Sequence, residues 1–403
     1  MTQALSGIRV LDWTVMQQGP AATVLMADMG AEVIKIEQRG VGDHGRSFLR
    51  VMGQPTGKGD RNFYFEAYNR NKKSLAIDLK QPLGLEVMYR LVEKSDVLVH
   101  NFRQNVPKKL GLDYDTLSKR NPRIIYACAS GLGPAGKDNL RPYNDAVALA
   151  RTGFMDLAAS PEGPPGYIPG GIADQSGAFM LFAGILTALV ARERQGIGQK
   201  VDTSLLGTMM WLQGQNTHGY LMTSKQPMKH RRSQPNNPLF NYYECSDGRW
   251  FFIANWRVSD WRDVCLAIDR PELEHEANYE TEELRRHNSE ELTGLLARVF
   301  ASRTLAEWVE RFKNYPDLTY ERVARFTEIA DDPQVLANEY VVNFPHPAWG
   351  DTRVLGLPIK LSRTPGEIRS PAPELGQHTE EVLMEVGGYN WDDISRFKEL
   401  EII

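Results

Sequence analysis

The stretch Ile8-Arg9-Val10-Leu11-Asp12-Trp13, followed by Gly19-Pro20 and then by Glu32-Val33-Ile34-Lys35-Ile36, decides the fold. The two outer pieces are short apolar and β-branched runs, which read as strands. Between them Gly19-Pro20 opens a helix through Ala21, Leu25, Met26 and Met29. Proline's fixed φ and missing N–H suit a first helical turn, and Gly30 closes the helix. The pattern then repeats. A helix is expected over about 83–94, the strand Asp96-Val97-Leu98-Val99-His100 follows, and after another helix comes the strand Arg123-Ile124-Ile125-Tyr126-Ala127-Cys128. Near-continuous apolar strands separated by helices imply a parallel sheet covered on both faces. The fold class is therefore α/β, with a Rossmann-like large domain.

From about residue 225 the pattern changes. Short aromatic strands at Phe240-Asn241-Tyr242-Tyr243 and Trp250-Phe251-Phe252-Ile253 flank a turn at Ser246-Asp247-Gly248. Helices are expected near 258–268 and 289–301, and Thr304 with Glu307 has the form of a capping box. The expected organisation is 1–224 as the N-terminal part of the large domain and 225–325 as a smaller α+β domain. Residues 326–403, with Pro371-Ala372-Pro373 and a helix near 378–387, return to the large domain.

A chain of 403 residues, 42% hydrophobic and 24% charged, has ample material for such cores. Its net charge of −4 carries no global basic excess, so nucleic acid is not an expected partner. Cys128, Cys245 and Cys265 are too scattered for a disulfide framework or a zinc site. The N-terminus lacks the pattern of a signal peptide. The longest mostly apolar run, Ala178–Ala191, falls short of the roughly 18–20 residues that span a bilayer, so no membrane association is expected. A soluble, cytoplasmic enzyme is the expectation.

The chemistry concentrates in Gly170-Gly171-Ile172-Ala173-Asp174-Gln175-Ser176-Gly177, directly before an apolar helix that stops at Gly196. Asp174 stands where a helix N-cap belongs, and a cap is one reading of it. The other is a nucleophile: a carboxylate kept ionised by the helix dipole, with paired glycines that let substrate approach the backbone. The turn Thr14–Pro20 lies at the carboxyl end of a strand, where open α/β sheets bind ligands, but it lacks G-x-G-x-x-G. Lys72, Lys73, Lys108, Lys109 and Arg141 suit a phosphate-bearing cofactor when taken together. No Walker lysine motif, H-E-x-x-H, C-x-x-C or G-x-S-x-G is present, and no metal site is expected. The aromatics Trp211, Phe240, Tyr242, Tyr243, Trp250, Trp256 and Trp261 read as packing.

Several stretches resemble the class III CoA-transferase family, the formyl-CoA:oxalate and carnitine CoA-transferase group, in the family's order. They include Leu5–Asp12, Gly30–Glu37, Asn71–Leu75, His100-Asn101-Phe102, Gly184–Leu189, Gly196–Asp202 and Ala372–Thr379. The resemblance implies that Asp174 is the nucleophile and that Gln17 and Tyr64 face the acyl group, beside Asn144, Gly170 and Gly171. It implies CoA along Gln38, Lys72, Asn101, Phe102, Lys109 and Arg141. Gln38 replaces an arginine of formyl-CoA transferases. Asn144 stands where those enzymes carry glutamate and related racemases carry histidine, and the glycine-rich loop of oxalate-specific members is absent around Arg231–Pro238. The family fold implies an interlocked homodimer.

The expected function is acyl-CoA:carboxylate CoA transfer between a donor acyl-CoA and a small carboxylic acid, through an aspartyl-CoA thioester. Three alternatives stand beside it. They are an acyl-CoA isomerase or racemase with Asp174 as base, a nicotinamide-dependent oxidoreductase, and a non-catalytic CoA-binding protein.

Overall fold

The computed structural model describes residues 2–51, 53–58, 61–257 and 259–403. The chain divides into two compact units, one of residues 1–155, 167–225 and 333–403, the other of 156–166 and 226–332. The larger unit runs β1 (Arg9–Trp13), α1 (Gln18–Asp28), β2 (Glu32–Gln38), α2 (Phe63–Asn69), β3 (Lys73–Ile77), α3 (Pro82–Glu93) and β4 (Val97–His100). It continues through α4 (Asn105–Leu110), α5 (Tyr114–Arg120), β5 (Ile125–Ser130), α6 (Asp145–Arg151), α7 (Ile172–Gln195), β6 (Gln199–Ser204), α8 (Leu205–Leu212) and α9 (Gly214–Thr223). One sheet of six parallel strands results, in the order β6-β5-β4-β1-β2-β3. The order reverses between β1 and β4, which leaves a crevice beyond their carboxyl ends.

Alternate residues of each strand feed opposite layers. Leu11, Ile34, Ile36 and Leu98 pack with α3, α5 and the C-terminal helices over 379–385 and 391–399. Val10, Val33, Val97 and Ala127 pack with α1 and α7. Ala21, Ala22 and Ala27 on α1 and Ala178 and Ala188 on α7 are buried in that second layer. Small side chains there let the two helices lie close against the sheet, and a larger residue would have to push them away. By length and composition α7 could span a bilayer, a stretch longer than the apolar run in the sequence suggests. Its Leu181, Ile185 and Leu189 face is nonetheless core.

Two strands of this sheet escaped the sequence reading. β3 is short and ends the sheet, and β6 (QKVDTS) is a polar edge strand with no unbroken apolar run. The C-terminal segment covers the β3 edge: His378 N–H donates to the Ser74 carbonyl, and the Thr379 hydroxyl oxygen accepts from Ala76 N–H.

In the smaller unit an antiparallel sheet of β7 (Phe240–Glu244), β8 (Trp250–Ala254) and β9 (Tyr320–Arg322) packs on α10 (Asp260–Ala267), α11 (Ser289–Phe300) and α12 (Leu305–Phe312). The helix expected from 258 begins at Asp260, and residue 258 itself lies outside the described residues. Thr304 and Glu307 form both bonds of the capping box. Phe251, Phe300, Trp308 and Phe312 contact one another in the core; of the aromatics expected to pack, Tyr243 and Trp261 are buried, whereas Phe240 and Trp256, and Trp211 of the larger unit, are exposed.

Candidate active site

The loop after β1 leads into the crevice, and nearly every residue of it is pinned. The Thr14 hydroxyl donates to Asp12, and its carbonyl accepts from Lys35 Nζ at 3.0 Å. Asn101, just beyond β4, binds Val15 at both its N–H and its carbonyl, 2.9 and 2.7 Å. Met16, at φ 70°, donates its N–H to Asp43 at 2.9 Å, and Asp43 pairs with Lys35 at 2.8 Å. Lys72 lies behind the loop and donates to Asp12, the Pro20 carbonyl, the Thr23 hydroxyl and Asn69 at 2.8–3.1 Å. Burial alone would raise the Asp12 carboxyl, but Lys72 and Lys35 outweigh it and hold Asp12 well below the ordinary range. Gln17 follows on a backbone with little freedom left.

Asp174 lies in the first turn of α7, but it is not the cap. The cap position is Gly171, in the left-handed region at φ 76°. The capping acceptor is Asp145, the first residue of α6, whose Oδ1 accepts from Ala173 N–H at 2.7 Å and Asp174 N–H at 3.1 Å. A neighbouring helix thus satisfies the helix end and leaves the Asp174 carboxylate for other work. The sequence reading expected the dipole to keep Asp174 ionised. Burial instead pushes its carboxyl up to about 7, and the Asp145 charge pushes the same way.

Besides the Asp145 carboxylate, the polar groups described around Asp174 are uncharged. Gln17 is 7% exposed, and its Nε2 makes no well-formed hydrogen bond among the described residues. A Cβ on Gly171 would sit 2.2 Å from that nitrogen, so glycine is what admits the amide. Gly170, at φ 111°, faces open space. Tyr64 lies 3.5 Å from Gln17 Oε1 and packs edge-on against both Phe48 and Tyr68. Its phenol is raised, first by burial and then by neighbours including Asp174.

A crevice of about 180 Å³ opens beside this loop, lined by Trp13, Gln38, His44, Lys80 and Phe102 among others. Trp13 and Phe102 lie 4.7 Å apart, an apolar wall, while Gln38, His44 and Lys80 supply polar groups. Asn101 braces the loop. Lys109 and Arg141 are exposed and do not line the crevice. Lys72 is a correction to the CoA set: buried and bonded to four acceptors, it has no donor left for a phosphate. Lys80, which follows β3, is the lysine in the crevice wall. Asn144 is a second correction. Its Oδ1 accepts from Val147 N–H at 3.1 Å and caps its own helix, so Asp145 is the side chain that reaches Asp174. An acid just inside a helix already capped by its neighbour was the available signal.

The arrangement is that of a doubly wound α/β fold with a crevice at its switch point and, in the first turn of α7, a half-buried carboxyl that is unpaired among the described residues. The chain belongs to CoA-transferase family III, whose sequence profile matches residues 5–379. It is similar to an acyl-CoA transferase of Fusarium pseudograminearum, at 32% identity over 99% of this chain and 88% of that protein. It is also similar to succinyl-CoA:glutarate CoA-transferase of Mus musculus, at 31% identity over 96% of this chain and 87% of that one. Among solved structures, a CAIB/BAIF family protein from Brucella suis aligns with a TM-score of 0.83 and 27% identity, covering 96% of this chain and all of that one. The chain is accordingly an enzyme of the CoA-transferase class, with CoA thioesters as its substrates.

Proposed function

We propose that the enzyme moves CoA from a donor acyl-CoA to an acceptor carboxylate through an aspartyl-CoA thioester on Asp174. The ionised Asp174 carboxylate attacks the donor thioester carbonyl, the C–S bond breaks, and a mixed anhydride and CoA thiolate result. The thiolate attacks the Asp174 carbonyl of that anhydride, which releases the donor acid and leaves aspartyl-CoA. The acceptor carboxylate then repeats these steps in reverse order. The observation that carries this reading is the Asp174 carboxyl, relieved of capping by Asp145, unpaired among the described residues, and one turn from the Gly171 position where the Gln17 amide packs.

Gln17 Nε2 supports the reading as a donor for the acyl oxygen, and the backbone near Gly170 and Gly171 as an open approach. Gln38, His44 and Lys80 are suited to the polar parts of CoA, beside the Trp13 and Phe102 wall. The interlocked homodimer belongs to the same proposal. Trp211, Leu221 and Met222 are 71–83% exposed on α8 and α9, a surface that a second copy would cover. The test is conversion of an isotopically labelled carboxylic acid to its CoA thioester in the presence of unlabelled acyl-CoA.

A second reading has one observation of its own. A carboxyl near 7 is matched to taking a proton α to a thioester, as an isomerase base would. Solvent deuterium entering the α-carbon with no acceptor acid present would favour it.

A further inference from the structure

Tyr68 and Gln175 form a second polar arm at the nucleophile that the transfer steps above leave unused. Tyr68 follows Tyr64 by four residues on α2, so both rings leave the same helix face, with centroids 5.4 Å apart and edge to face. Gln175 is the residue after Asp174. Its Nε2 donates to the Tyr68 hydroxyl oxygen at 2.9 Å. The Gln17 amide approaches the same oxygen without closing a well-formed bond. An oxygen that accepts from one amide and faces a second keeps its own proton directed elsewhere. The bond to Gln175 sets the hydroxyl against the residue that follows Asp174, and the phenol is raised by burial first and by the Asp174 charge as well.

The result is a pair of neutral donors at the start of α7, the Tyr68 O–H held by the residue after Asp174 and the buried Gln17 Nε2 packed against Gly171. Gln17 is enough to orient a thioester carbonyl. A plain acyl chain would offer the Tyr68 proton no acceptor, and a polar group left unpaired away from water disfavours binding.

We propose that Tyr68, held by Gln175, is a specificity-determining residue that selects acyl groups carrying a second oxygen function, a hydroxyl or a carboxylate, beyond the thioester carbonyl. This rests on the CoA-transfer reading. A site built to pair a substrate oxygen rejects the analogue that lacks it far better than an apolar pocket rejects an extra methylene.

The experiment measures kcat/KM of the full-length enzyme with butyryl-CoA, 3-hydroxybutyryl-CoA and succinyl-CoA, one acceptor acid being held fixed. Aspartyl-CoA is followed by mass in the same samples. The wild type is expected to favour one oxygenated donor over butyryl-CoA, and the better of the two tells hydroxyl from carboxylate. Tyr68→Phe keeps the ring and its packing, and should lower the oxygenated-to-plain ratio by about tenfold. Gln175→Leu, which removes the bond orienting the phenol, should lower the same ratio. A ratio unchanged in both variants while aspartyl-CoA still forms overturns the proposal alone, as does a wild type that favours butyryl-CoA. Absence of aspartyl-CoA with every donor in the wild type breaks the transfer reading and this proposal with it.

Discussion

Two groups of charge lie on either side of the loop after β1, and they are built on opposite principles. Behind the loop, Asp12, Lys72, Lys35 and Asp43 are almost fully buried and paired, and their hydrogen bonds run through the loop's own backbone. In front of it, Asp174 has a like charge for its nearest electrostatic neighbour, and Gln17 keeps a donor in reserve. The paired group holds a carboxyl down, whereas the unpaired one lets burial push a carboxyl up. Satisfied charge gives rigidity, and unsatisfied charge gives reactivity. The first makes the second tolerable, because the loop that carries Gln17 cannot collapse onto Asp174.

The most damaging way to test this contrast is on the reactive side. Asp174→Asn should lower CoA transfer by more than about 10³-fold, since the nucleophile is gone. The same variant should be no less stable. The Asp174 carboxyl rises from its ordinary value of 3.8 to about 7 on folding, so the native state loses stability as pH rises through that window. The melting temperature of Asp174→Asn should therefore exceed the wild type's by more at pH 8 than at pH 4.5. An equal difference at both would show that burial does not hold the carboxyl up.

On the rigid side, Lys72→Met should cost about 3–5 kcal/mol of stability by denaturant unfolding, because it strands the Asp12 carboxylate in the interior. A loss confined to CoA affinity, with stability unchanged, would return Lys72 to the ligand. A milder change sharpens the electrostatic half of the comparison. Asp145→Asn keeps an oxygen for the two N–H groups but removes the charge. The acid limb of the kcat/KM profile, expected near pH 7, should then move to lower pH, yet stay above the ordinary aspartate range because burial is the larger cause. The smallest effect is expected at the crevice. Lys80→Ala should raise KM for acyl-CoA several-fold, on the order of 1 kcal/mol, and leave kcat nearly unchanged.

Much of this was legible in the sequence, and the gaps have physical causes. β1, α1 and β2 are plain because apolar residues recur without interruption in a sheet buried on both faces. β6 is polar and at an edge, so it lacks that signature. Asp174, Gln17, Tyr64 and the paired glycines were found from a motif and a resemblance, and the structure gathers them at one point. Lys72 and Lys80 could not be separated by residue type, since one faces the interior and the other the crevice only through the bend of the chain after β3. Asp145 was hidden because its partners lie 28 and 29 residues away on another helix. Local spacing marks Asp145 as an acid behind a helix cap already supplied by Asn144, but not which residues it reaches.

The central claim is that Asp174 becomes covalently attached to CoA. Intact-protein mass spectrometry of the wild type and Asp174→Ala, each mixed with a panel of acyl-CoAs, tests it directly. The account predicts a mass increase of one CoA less water in the wild type, mapped by peptide analysis to Asp174 and absent from the variant. A wild type that binds CoA yet acquires no adduct from any donor, and instead places solvent deuterium at the α-carbon, would contradict it.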